Sequence, residues 1–101
     1  MTFFERFETD ILSGAKTITL RDEAESSFEA GQIVAVSTFE DDRWFCDIEI
    51  LSVTPLKFYE LNDEHAQQEN MSLAELHQVI SEIYPKVEQL FLIQFYVTKK
   101  Q

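Results

Sequence analysis

An octet near the start of the chain, Gly14-Ala15-Lys16-Thr17-Ile18-Thr19-Leu20-Arg21, gathers an amine, two hydroxyls and a guanidinium into one short run. Basic side chains are scarce here. Eight Lys and Arg stand against nineteen Asp and Glu, and two of the eight lie in this octet. The chemistry such a set supports is that of an activated hydroxyl. A threonine hydroxyl is a poor nucleophile at neutral pH until a base within hydrogen-bond reach takes its proton. Lysine is such a base only when neutral, so its ordinary pKa near ~10.4 must first be lowered. Burial does this, and so does a neighbouring cation. Arg21 is the cation at hand, because a guanidinium keeps its charge in any surroundings.

Geometry restricts which hydroxyl is used. On a regular strand Thr17, Thr19 and Arg21 share one face, while Lys16, Ile18 and Leu20 share the other. Lys16 and Thr19 then point apart. Cooperation between them requires that Lys16 precede the regular strand, or that a bulge intervene. Gly14-Ala15 just upstream provides for an irregular approach.

The surrounding pattern predicts the elements that hold this run. Thr2 and Glu5 have capping-box spacing, which predicts a helix from residue 3. Phe3, Phe4, Phe7, Ile11 and Leu12 recur along it at helical spacing, and Gly14 is its C-cap. Residues 16–21 are rich in β-branched side chains and predict a strand. Residues 22–31 are polar and acidic and predict a loop or ragged helix that ends at a glycine turn. Residues 33–39 and 44–53 predict a hairpin through the turn Glu40-Asp41-Asp42-Arg43, with Pro55 ending its second strand. Residues 59–70 predict a short polar helix. Ser72 and Glu75 form a second capping box, followed by Leu73, Leu76, Ile80 and Ile83, an amphipathic helix ending near Tyr84-Pro85. Residues 90–97 are almost continuously apolar, a strand buried on both faces or the closing strand of a barrel. The expected fold is therefore α+β in one domain over residues 1–101: a mixed sheet or small barrel with helices packed on it.

Composition narrows the partners. Hydrophobic residues make up 45% of 101 and nine are phenylalanine, enough for a core in one domain. The net charge of −11 opposes a nucleic-acid backbone, whose binding needs Lys and Arg to release counterions. A small, nearly neutral ligand suits it better. The single cysteine, Cys46, forms no internal disulfide. No apolar run reaches the ~18 residues of a membrane span. The first residues are acidic and lack a signal-peptide pattern, so the expected location is the cytoplasm.

The octet, placed after a short N-terminal helix, resembles the signature of the ASCH domain, a relative of the PUA-like β-barrels. The likeness is closest to a small bacterial branch, the N(4)-acetylcytidine amidohydrolases. It is carried by Thr2-Phe3-Phe4, Asp10-Ile11-Leu12, the octet with Asp22-Glu23, Phe39-Glu40-Asp41-Asp42, Phe45-Cys46, His65-Ala66, Gln68-Glu69-Asn70-Met71 and Ile83-Tyr84-Pro85. The resemblance implies a hydrolase that removes acetyl from the exocyclic nitrogen of a cytosine nucleoside and needs no cofactor. By position it implies Lys16 as proton acceptor, Thr19 as nucleophile and Glu69 as proton donor. Many other ASCH domains carry glutamate where Thr19 stands. Arg21, or backbone N–H groups, would stabilise the oxyanion. Thr17 and His65 are further candidates for contact with substrate.

Other residues carry plainer expectations. His65 and Glu69, four apart, share a helix face, but two ligands without a third do not make a metal site. His65 then orients Glu69 or caps its helix. His77 is structural, and Cys46 is a small core residue. Trp44 or Phe45 is core or stacks on a pyrimidine. The competing functions are a non-catalytic RNA- or nucleotide-binding PUA-like module, and a small protein-interaction domain.

Overall fold

The computed structural model describes residues 1–101. Its strands are β1 (Thr2–Phe3), β2 (Ile18–Arg21), β3 (Ile33–Thr38), β4 (Trp44–Lys57) and β5 (Gln89–Lys100). Its helices are α1 (Glu8–Ser13), α2 (Asp63–Gln68) and α3 (Leu73–Ile83). The strands form one mixed sheet in the order β1-β3-β4-β5-β2. Only the β1–β3 pairing is parallel.

The sheet does not close into a barrel. Its edges are β1, two residues long, and β2, four residues long, and no backbone ladder joins them. Both strands leave the sheet before they could pair, β1 into a 3-10 turn at Glu5–Phe7 and β2 into another at Glu23–Glu25. A side chain bridges the gap instead. The Arg21 guanidinium donates to the Thr2 carbonyl at 2.9 Å.

The N-terminus also departs from expectation. Residues 2–3 are strand, and the helix begins only at Glu8. Ser37 N–H donates to Met1 O at 3.0 Å and Phe39 N–H to Phe3 O at 2.8 Å. This ladder competes successfully with the local capping signal. The Glu5 N–H, which the capping box would have involved, donates to the Glu40 carboxylate instead.

Pro55 does not end β4, which runs on to Lys57. Beyond Ile50 this strand has β5 alone as a neighbour, because β3 starts at Ile33, opposite Glu49. A proline on such a free edge leaves no second ladder broken. The Ser72–Glu75 capping box forms as the spacing predicts, and β5 lies between β4 and β2 with Leu90, Ile93 and Phe95 buried.

Two apolar clusters make the core. One packs Phe3 and Ile11 against β3, β4 and β5 through Val36, Phe45, Ile48 and Phe95. The other joins Leu20 and Leu90 to α2 and α3 through Ala66, Leu76 and Ile80. The chain between α1 and β2 runs from the first cluster to the second.

Candidate active site

Gly14 ends α1 in the left-handed conformation, at φ 82°, which turns the chain away from the helix. Lys16 N–H then donates to Asp10 O at 3.0 Å, and Thr17 N–H to Gln68 O at 2.9 Å. Ladder pairing with β5 starts only at Ile18. Lys16 therefore lies ahead of the regular strand, and the break in alternation that its cooperation with Thr19 requires is present.

A second irregular end supplies the carboxylate. The Asn62 side chain accepts the N–H groups of Glu64 and His65 at the start of α2. At its other end Met71 N–H donates to Ala66 O at 2.9 Å and Asn70 N–H to Gln67 O at 3.0 Å. With Asn70 left-handed at φ 58°, this is a Schellman motif. Glu69 is the cap residue inside it. Asn70 Nδ2 also donates to Asp10 Oδ1 at 3.2 Å, which ties the ends of α1 and α2 together.

These two ends bring Lys16 and Glu69 into contact across 53 residues of chain. Lys16 Nζ donates to a Glu69 carboxylate oxygen and, at 2.9 Å, to the Ile18 carbonyl. The Phe7 and Phe3 rings lie 5.3 and 5.7 Å from the nitrogen. Lys16 and Glu69 retain 3% and 4% of their exposure. Burial holds the Lys16 pKa below the ordinary lysine value, and the Arg21 charge adds to this. Glu69 opposes it by charge and hydrogen bond, as does Asp10 by charge.

Thr19, on β2, is 3% exposed and lines the same cavity as Lys16 and Glu69. Both Lys16 Nζ hydrogen bonds go to acceptors other than the Thr19 hydroxyl, the Ile18 carbonyl and Glu69. The cavity encloses about 660 Å³ and lies where β1 and β2 fail to meet. The 3-10 turn after β1, the Phe39-Glu40 turn and the C-terminal half of α3 complete its walls. Its charged lining is Arg6, Lys16 and Arg21 against Glu25, Glu40, Glu69 and Glu82, far closer to balance than the chain as a whole. Such a site suits a ligand of little net charge.

Arg21 also lines the cavity, with its guanidinium 4.7 Å from the Phe3 ring centre and Nε 3.9 Å from Glu25. Tyr84 donates to Glu25 at 2.9 Å, so β2 is braced to the end of α3. Burial, the largest cause, pushes the Tyr84 hydroxyl up to about 12, and it stays a neutral donor.

The remaining sequence candidates lie elsewhere. Thr17 does not line the cavity, and its backbone is taken up by Gln68 and Phe95. His65 accepts the Asn62 N–H at Nδ1, which closes the α2 capping box. Phe45 is fully buried in the core, and Trp44 donates its indole N–H to Asp47 at 2.9 Å. Neither lines the cavity. Cys46 is a core residue, and the His77 ring packs 5.2 Å from Phe58. Nowhere do three His, Cys, Asp or Glu side chains converge as a metal site would need. Sequence reasoning missed Phe39, Tyr84 and the end of α3 as cavity walls. Only the acidic turn after Phe39 marked that stretch as a loop.

A mixed five-stranded sheet with helices packed on it, carrying a buried amine–carboxylate pair and a threonine on one cavity, is the class of protein this chain defines. The model of the ASCH domain matches residues 1–91, and the chain belongs to that family. Among solved structures, a protein from Enterococcus faecalis superposes with a TM-score of 0.82 at 18% identity, over 94% of this chain and 68% of its own. The ASCH domain from Lactobacillus crispatus does so with 0.77 at 20% identity, over 91% and 70%. Sequence relatives are far nearer. The N(4)-acetylcytidine amidohydrolase of Shewanella sp. (strain MR-4) is 72% identical over 95 residues, 94% of this chain and 92% of that one. Its counterpart in Shewanella baltica is 68% identical over 97 residues, 96% and 92% of the two chains. No helix is long and apolar enough to cross a membrane.

Proposed function

We propose that this chain is an amidohydrolase that removes the acetyl group from N(4)-acetylcytidine and related N(4)-acylated cytosine nucleosides, with Thr19 as nucleophile. The observation that carries the reading is the buried Lys16–Glu69 pair on the cavity that Thr19 lines, in a chain about 70% identical to relatives bearing that name.

Neutral Lys16 accepts the Thr19 proton as Oγ1 attacks the acetyl carbonyl carbon. Burial favours that neutral state, because it penalises the ammonium. Arg21, on the same strand face two residues on, faces the negative charge that develops on the carbonyl oxygen. Collapse of the tetrahedral intermediate breaks the C–N bond, and Glu69 gives its proton to the leaving exocyclic nitrogen. The acetyl group is now an ester on Thr19. Water hydrolyses it to acetate and restores the hydroxyl. Lys16 gains one proton and Glu69 loses one, so the pair keeps its total. Their direct hydrogen bond lets the proton return to the carboxyl for the next cycle. Two groups of opposite charge are thus converted by one short transfer into the base and the acid that amide cleavage needs.

The test is release of cytidine and acetate from N(4)-acetylcytidine. The wild type is expected to turn over. Thr19→Ala is expected to lose roughly three orders of magnitude or more in kcat, as loss of a nucleophile does elsewhere. Wild-type turnover in Thr19→Ala would overturn the assignment. RNA retention in a gel shift without hydrolysis would point to the binding-module reading instead.

A further inference from the structure

Exposed apolar side chains are ordinary on a protein surface, and Ile33 and Tyr96 are of that kind, on the strands β3 and β5. Phe39 is different. It is 64% exposed, yet it lines the cavity that holds Lys16, Thr19 and Glu69. Its ring meets that of Phe4 edge-on, with centres 5.2 Å apart and planes at 67°. The Arg6 guanidinium lies 5.5 Å from the Phe4 ring centre on the same lip.

The turn that carries Phe39 is firmly built. Phe39 N–H donates to Phe3 O at 2.8 Å. Glu40 accepts the Glu5 N–H with both oxygens, at 2.9 and 3.2 Å. Thr38 is fully buried, donates to the Asp41 carboxylate and accepts Arg43 N–H at 3.1 Å. An exposed phenyl is therefore held in a fixed place at the mouth of a cavity, with a second ring as its brace. A ring presented without its own packing partners on the open side offers a face to a flat, weakly charged heterocycle.

We propose that Phe39, braced by Phe4, is the residue on which the pyrimidine ring of the substrate stacks, and that it holds the base without acting on the bond cleaved. This rests on the amidohydrolase reading for the identity of the base. The stacking surface itself is read from Phe39 and Phe4. Phe39 is a binding contact that acts in the bound and transition states alike, so its loss raises KM and spares kcat.

The experiment compares Phe39→Ala, Phe39→Leu and Phe39→Tyr with the wild type on N(4)-acetylcytidine. Stacking of a base on an aromatic side chain corresponds to roughly a five- to 150-fold effect. Phe39→Ala and Phe39→Leu are expected to raise KM within that range, with kcat within about twofold, whereas Phe39→Tyr stays near the wild type. Thermal unfolding of each variant separates a loss of fold from a loss of contact. A KM unchanged in Phe39→Ala, or a Phe39→Leu protein equal to the wild type, overturns the proposal. A second arm needs no turnover. Calorimetric binding of N(4)-acetylcytidine to Thr19→Ala is expected to weaken by the same factor in Thr19→Ala/Phe39→Ala. If the wild type fails to hydrolyse the nucleoside, the amidohydrolase reading falls, while this binding arm still decides whether Phe39 stacks on the base; equal affinity of the two proteins overturns it.

Discussion

Glu69→Gln keeps the size of the side chain and removes the only carboxylate within ion-pair distance of Lys16 Nζ. Breaking one side of a buried pair costs roughly 3–5 kcal/mol, because the remaining charge is left without water or partner. Lys16 is 3% exposed and would keep the neutral Ile18 carbonyl but no opposite charge, so its charge is left uncompensated. It also has an escape, since it can shed its proton. Relative to an unfolded lysine titrating near ~10.4, this costs about 4.6 kcal/mol at pH 7 and about 1.9 at pH 9. The sign follows from the proton count. The unfolded variant holds a proton at residue 16 and the folded one does not, so its stability rises with pH by about 1.4 kcal/mol per unit up to the unfolded pKa. In the wild type Glu69 opposes that loss by charge and hydrogen bond, so Lys16 keeps its proton to higher pH and the slope near neutrality is smaller. The stability gap between the two proteins should thus be roughly 3–5 kcal/mol at pH 7 and about 2 at pH 9. Urea unfolding followed by the fluorescence of Trp44, the one tryptophan, measures it at each pH. In heat the gap at pH 7 corresponds to about 12 °C or more for a domain of this size. A gap under about 1 kcal/mol at pH 7, or one equal at both pH values, would refute the view that Lys16 is desolvated and depends on Glu69.

Two further outcomes follow from the site and the core. Lys16→Arg should lose amidase activity, because a guanidinium does not deprotonate; activity of the arginine variant contradicts a buried neutral base. Cys46 should resist iodoacetamide in the native protein at pH 8 and react once unfolded, since the thiol is fully buried and burial pushes its pKa up to about 11; mass spectrometry reads the adduct, and labelling of the folded protein would show the core opening there.

The elements whose signals are local were legible in the sequence. The Ser72–Glu75 capping box, the hairpin through residues 40–43 and the apolar run of β5 each depend on neighbours a few residues apart, and each forms. Failures occurred where a distant strand competed with a local signal. The capping spacing of Thr2 and Glu5 yields to a ladder with β3, and Pro55 is tolerated because β3 begins too late to flank it. Of the mixed sheet or small barrel expected, the mixed sheet forms and the barrel does not close. Closure depends on edge length, and β1 and β2 are too short.

The sequence by itself determined that an amine, a hydroxyl and a guanidinium share one run, and that Lys16 must precede the strand, or a bulge intervene, for it to work with Thr19. Residue types and the two-residue period of a strand are sufficient for both statements. It offered no physical reason to choose Glu69 from nineteen acids; resemblance alone singled it out. Only the tertiary structure decided that this glutamate meets Lys16, through a left-handed Asn70 and an Asp10 that ties two helix ends together. It also decided that Phe39, on a turn, borders the same cavity, whereas Trp44 and Phe45 do not. The reason is physical. Burial and charge pairing depend on which segments share space, and the contact between Lys16 and Glu69 spans 53 residues over which no local periodicity persists.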